Sequence, residues 1–140
     1  DEQFAGKDVL DLGCGSGVLG IAAALAGARH VSCVDYDPQA VWASEQNARR
    51  NGVSDVVSAA EAASPTGFEA DIVIANILAG ILQRLADELV SVVRPGGHLV
   101  LTGILEEQAD EVRAAYAAAG VRIMPAAARE GWVRMEGTKA

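Results

Sequence analysis

The chain has 140 residues, 51% hydrophobic and 21% charged, with a net charge of −8 because 19 acidic side chains face only 11 Lys plus Arg. That length and apolar content suit one core-forming domain and exclude disorder; with no run near the roughly 18 to 20 apolar residues of a membrane span and no leader pattern, a cytoplasmic protein is expected. The basic residues are dispersed, so direct nucleic-acid binding is not expected, and the acidity suits a cationic cofactor, a Lys-rich partner or simply a solubilising surface.

Strand-like and helix-like runs alternate from the start. Asp8 to Leu12 reads as a strand and is followed by a glycine turn and the apolar stretch Val18 to Leu25. His30 to Asp35 is the second strand. Asp37 then caps a helix with Pro38 in its first position, and Asn51-Gly52 closes it. Val56 to Ala60 and Asp71 to Ala75 are the third and fourth strands, the latter apolar throughout, as befits a strand covered on both faces. Ile81, Leu82, Leu85, Leu89 and Val92 recur at helical spacing and predict a helix over Ala79 to Val93, stopped by Arg94-Pro95-Gly96-Gly97. His98 to Thr102 is the fifth strand, and Glu106 to Ala119 a further amphipathic helix. Val121 to Ala127 and Trp132 to Glu136 are separated by only four residues, too few for a crossover helix, and must form an antiparallel hairpin. The pattern predicts an α/β fold: a Rossmann-like seven-stranded sheet, mostly parallel with an antiparallel last strand, and helices on both faces. This layout resembles the seven-stranded fold of S-adenosylmethionine-dependent methyltransferases.

The chemistry concentrates at three strand ends. In Asp11-Leu12-Gly13-Cys14-Gly15-Ser16-Gly17, glycines let a ligand approach bare backbone, and the helix behind them offers amide N–H groups to an anion. Gly15, Gly17 and Gly20 also satisfy the G-x-G-x-x-G spacing of a dinucleotide fold, with Asp35 near the distance of a ribose-binding acid, so NAD binding is an alternative. Against it, the strand ends at Leu12, Gly15 comes late for the first fingerprint glycine, and Asp11 would repel a pyrophosphate. A sulfonium cofactor carries both an amine and a carboxylate, which Asp11 and the turn amides can meet. Asp35 can accept from two ribose hydroxyls, and Tyr36 can cover an adenine face or serve only as a half-exposed packing residue. Asn76, ending the fourth strand, can accept a hydrogen bond from a neutral amine, with a backbone carbonyl of Ile77 or Leu78 taking another; its alternative role is a helix cap. His30, His98, Cys14 and Cys33 lack metal-ligand spacing, so no metal is expected, and both cysteines are expected to be reduced.

The glycine turn, Asp35 and the segment Ala75-Asn76-Ile77-Leu78-Ala79-Gly80 together resemble the family of methyltransferases acting on ribosomal protein L eleven. The similarity continues through Arg94-Pro95-Gly96-Gly97 to Thr102-Gly103-Ile104-Leu105, then Gln108 and Val112, and closes with Trp132-Val133-Arg134. The resemblance implies a catalytic domain over residues 1–140 that moves methyl groups from S-adenosylmethionine to the α-amine and lysine side chains of a large-subunit ribosomal protein. It implies cofactor contacts at Gly13, Asp35 and Asn76, with Asn76 also facing the acceptor amine; with the turn and strand-end reading above, the expected cofactor set is Asp11, Gly13, Gly15, Gly17, Asp35, Tyr36 and Asn76, in a monomer expected to touch neither nucleic acid nor membrane. Two departures stand out: Ile81 replaces a common Pro, and the family's N-terminal recognition domain is expected to be missing from a chain that starts at Asp1 without Met. Another amine as acceptor, and a cofactor-binding module without catalysis, are the remaining alternatives.

Overall fold

The structure is a computed structural model that describes residues 3–140; Asp1 and Glu2, on which the reading of the chain's start rests, lie outside the described residues. Its elements are β1 (Asp8–Leu12), α1 (Val18–Leu25), β2 (His30–Asp35), α2 (Pro38–Arg50), β3 (Val57–Glu61), β4 (Ala70–Asn76), α3 (Ala79–Arg84), α4 (Ala86–Val92), β5 (Val93–Leu105), a short 3-10 turn (Glu106–Gln108), α5 (Ala109–Ala118), β6 (Val121–Ile123), β7 (Ala127–Arg129) and β8 (Trp132–Lys139). The strands form one sheet in the order β3-β2-β1-β4-β5-β8-β6, with β7 paired to β8. The first five are parallel, and β8 runs antiparallel to β5, β6 and β7.

Neighbouring residues on the central strands feed opposite cores, because successive side chains in a strand point to opposite faces. Leu10, Leu12, Val73, Ala75, Leu99 and Leu101 pack with Leu82, Leu89, Val112 and Tyr116 from α3, α4 and α5. Val9, Ile72, Ile74, Val31 and Cys33 pack with Ile21, Ala24 and Ala48 from α1 and α2. Helices therefore cover both faces, and the near-continuous apolar character of β4 follows from burial on each side.

Three expectations need correction. The sheet has eight strands rather than seven: the run from Val121 splits into β6 and β7, because Pro125 has no N–H to continue a ladder, although Met124 N–H still donates to the Glu136 carbonyl (2.8 Å). Ala128 and Arg129, read as loop, belong to β7, and the turn shrinks to Glu130 and Gly131, both at positive φ (52° and 84°) as a two-residue type I′ hairpin turn requires. The helix expected over Ala79 to Val93 is two short helices that step at Leu85, which has φ −92° and ψ 7°. Leu85 N–H still bonds to Ile81 O (2.9 Å) and Leu85 O accepts from Leu89 N–H (2.8 Å), so the apolar stripe stays buried across the step. Finally, β5 begins at Val93, earlier than expected: the Arg94–Gly97 stop lies within an irregular start of the strand.

At the amino-terminal edge of the sheet, Arg94 bonds to Asp8, Glu69 and Asp71, and Arg29 pairs with Asp8. These guanidinium groups, Arg29 foremost, hold the Asp8 carboxyl down at about 2. The opposite, carboxyl-terminal edge carries the groups singled out for chemistry.

Candidate active site

The strand ends align by register. Leu12 pairs with Val34 on one side and Ala75 on the other, and Asn76 pairs with Thr102. Gly13, Asp35, Asn76 and Gly103 are thereby brought to one edge, where β1 lies between β2 and β4 and the chain order reverses, the position at which open α/β sheets bind ligands.

The turn after β1 carries Gly13, Gly15 and Gly17 at φ values of 75°, 56° and 84°, a left-handed region that side chains rarely occupy. Gly13 is also needed for close packing: a Cβ there would lie 2.4 Å from Ile77 Cγ2 and 3.1 Å from the Asn76 carbonyl oxygen. The turn is lashed to its neighbours by Gly13 N–H to Val34 O (2.8 Å), Gly15 N–H to Asp35 Oδ2 (3.1 Å), Ser44 Oγ–H to Gly15 O (3.0 Å) and Asn47 Nδ2–H to Ser16 O (2.8 Å). Sequence reasoning missed Ser44 and Asn47; their signal is only that both sit one helical turn apart on α2.

Asp11 lies beneath this turn, 1% exposed. Its Oδ2 accepts from Gly20 N–H (3.1 Å), while Oδ1 is buried with no partner among the described residues. Burial pushes its carboxyl up to about 6, against the Gly20 hydrogen bond and with help from the negative charge of Asp35. A cation reaching under the turn would give Oδ1 a partner and offset that charge, so the residues present fit a cofactor that carries an amine.

Asp35 is 8% exposed and accepts from two backbone donors, Gly15 N–H at Oδ2 and Asp37 N–H at Oδ1 (3.0 Å). Each oxygen keeps a further lone pair for a hydroxyl. With Gly13, Tyr36, Ala62 and Ile77 it lines a pocket of about 270 Å³, on whose rim Tyr36 stands 76% exposed. The cap role expected of Asp37 is present: its Oδ1 accepts from Gln39 N–H (2.9 Å).

Asn76 is exposed at the end of β4 and does not cap the following helix, whose N-cap is Leu78 without a side-chain bond. Gly103, at φ 80° in the irregular part of β5, faces it: a Cβ at Gly103 would meet Asn76 Oδ1 at 3.0 Å and Ile77 O at 3.2 Å. Two acceptors thus lie close to the Gly103 backbone, at a position that only glycine can take. Asn76 and Gly103 line a cavity of about 710 Å³ together with Thr102, Arg129, Trp132 and Arg134. Gly103 and Trp132 belong to the segments that carry the family resemblance but were not expected as site residues, though a glycine after an apolar strand was a signal for the first.

Elsewhere the histidines are engaged with hydroxyls, His30 Nε2 with Ser58 Oγ (3.1 Å) and His98 Nδ1 with Thr138 Oγ1 (3.3 Å). Cys14 and Cys33 are buried free thiols. Among the described residues no group of three or more His, Cys, Asp or Glu is placed to hold a metal, and no helix is long and apolar enough to cross a membrane.

The strand order, the glycine turn and the site at the carboxyl edge define the class I methyltransferase fold, shared with the ribosomal protein L11 methylase of Lactobacillus delbrueckii subsp. bulgaricus (TM-score 0.89, 29% identity, covering 96% of this chain and 71% of that one). Residues 2–140 match the family model described as ribosomal protein L11 methyltransferase (PrmA), and the chain belongs to that family. Relatives of that name include those of Methylococcus capsulatus, 55% identical over 98% of this chain, and Azotobacter vinelandii, 50% identical over 99%. The chain spans about half the length of these relatives, 47% in each case.

Proposed function

We propose that residues 1–140 form the catalytic domain of an enzyme that transfers methyl groups from S-adenosylmethionine to amines, the α-amine and lysine side chains, of ribosomal protein L11. The observation that supports this reading is Asn76, exposed at the end of β4 on the cavity it shares with Gly103, with the Ile77 carbonyl oxygen close to the same backbone, beside the glycine turn. A neutral amine has two N–H donors; bonded to both acceptors, it has its lone pair directed away from them.

When bound, S-adenosylmethionine supplies an electrophilic methyl group on a sulfonium sulfur. Asp35 would hold ribose hydroxyls with its free lone pairs, Asp11 would meet the cofactor's amine, Gly13, Gly15 and Gly17 would let its carboxylate reach backbone amides, and Tyr36 would flank the adenine. Asn76 and the Ile77 carbonyl orient the acceptor nitrogen. Among the described residues none lining the 710 Å³ cavity is a carboxylate or histidine, and the ammonium form would lose its proton to water before attack. Catalysis then rests on positioning and exclusion of solvent.

A dinucleotide is a poorer fit, since the buried, partnerless carboxylate oxygen of Asp11 would sit behind a pyrophosphate. The dispersed positive charge and the proposed acceptor support a cytoplasmic protein that contacts ribosomal protein rather than nucleic acid; its action as a monomer is part of the proposal. The test is calorimetric titration with S-adenosylhomocysteine and, separately, with NAD. Saturable binding of the first alone, lost in Asp35→Ala, supports the reading; binding of NAD alone would replace it with an oxidoreductase.

A further inference from the structure

Resting on that functional reading, we infer that the indole of Trp132 is the wall against which the acceptor nitrogen is held as it becomes cationic, making this residue a determinant of specificity for alkylammonium groups. Trp132 opens β8, its backbone paired with Leu105 of β5 and Arg129 of β7. Alternation along the strand buries Val133 and Met135 and turns Trp132 outward, 54% exposed, into the cavity that contains Asn76 and Gly103. The tight Glu130-Gly131 turn fixes the strand that presents it, and the side chain itself has only two rotatable bonds.

The charge balance of the reaction gives this wall a task. The amine lone pair forms the new N–C bond as the S–C bond breaks, so the positive charge passes from sulfur to the acceptor nitrogen. Among the described residues no carboxylate lines the cavity to receive that charge. Its two charged side chains, Arg129 and Arg134, are exposed cations, and Arg134 Nε lies 3.7 Å from Glu136 Oε1. Asn76 Oδ1 and Ile77 O bind N–H groups, yet each methyl group added removes one such donor. An aromatic face works in the opposite sense, because it attracts a cation without needing N–H donors. Among the described residues Trp132 is the one aromatic side chain on this lining, and so holds the acceptor increasingly as the amide and carbonyl oxygens lose their partners.

The experiment uses the full-length protein saturated with S-adenosylhomocysteine. Binding is measured for Nα-acetyl-trimethyllysine methylamide and for its uncharged isostere, in which carbon replaces the quaternary nitrogen. The expected result is a preference of about two- to thirty-fold for the cation, retained in part by Trp132→Phe and abolished by Trp132→Leu, which keeps apolar bulk without an aromatic face. S-adenosylhomocysteine affinity should be the same in all three proteins, a control that a merely structural role would not satisfy. Equal affinity of the unaltered protein for the cation and the isostere, or a preference that survives Trp132→Leu, would overturn the inference while leaving the methyltransferase reading intact. Failure of the unaltered protein to bind S-adenosylhomocysteine would overturn both.

Discussion

Replacing Asp11 with Asn should stabilise the fold at neutral pH while weakening the cofactor site. The Asp11 carboxyl is pushed from its ordinary 3.8 to about 6, first by burial, so the folded state holds this proton more tightly than the unfolded chain. Its contribution therefore falls as pH rises from about 3.8 through about 6 and is constant above. Two pKa units correspond to roughly 3 kcal/mol in total, of which about 2 kcal/mol falls between pH 4.5 and 7.5. An Asn amide carries no ionisation cost and its oxygen can still accept from Gly20 N–H, but its nitrogen would lack an acceptor where Oδ1 is now partnerless, a penalty of about 1 kcal/mol. The net gain at pH 7.5 is about 1–2 kcal/mol. Denaturant unfolding of both proteins at the two pH values checks it, and the difference between them cancels the other titrating groups. A difference that stays flat with pH, or an Asn variant that is less stable at pH 7.5, would refute the assignment of a strained, buried charge. The same variant should bind S-adenosylhomocysteine at least several-fold more weakly, the usual trade between stability and a working site.

Asn76→Ala should lower the methyl-transfer rate by roughly 10- to 100-fold, the loss of one orienting hydrogen bond to a reacting group, and weaken S-adenosylhomocysteine binding by a smaller factor; initial rates and calorimetry separate the two. Gly103→Ala should cost about 1–2 kcal/mol through its φ of 80° and, by placing a methyl 3.0 Å from Asn76 Oδ1, reduce transfer more than it reduces cofactor binding. Tyr116→Phe should cost about 1–2 kcal/mol in denaturant unfolding, because the buried hydroxyl donates to the Leu82 carbonyl at 2.7 Å and ties α5 to α3.

Much of the fold was readable because local and global preferences agree. Apolar runs on β1 and β4 report burial on both faces, Asp37 and Pro38 mark a helix start, and the four residues before Trp132 were too few for anything but a hairpin. The elements that departed from expectation are those where one residue's geometry overrides a pattern: Pro125 divides an apolar run into β6 and β7, and Leu85 steps the helix axis while keeping the periodicity that predicts one helix.

The sequence by itself determined the order of elements, the positive-φ turn that only glycines accept, and the carboxylate and carboxamide at the ends of β2 and β4, since each depends on residues adjacent in the chain. What those groups face was decided by tertiary structure. Parallel register sets Gly13 against the end of β4, and the irregularity in β5 turns Gly103 toward Asn76. Folding of β8 beside β5 brings Trp132 to the same cavity as Asn76. Such contacts join residues dozens of positions apart, and the burial that leaves Asp11 half-partnered exists only once α1 has packed over β1 and β2.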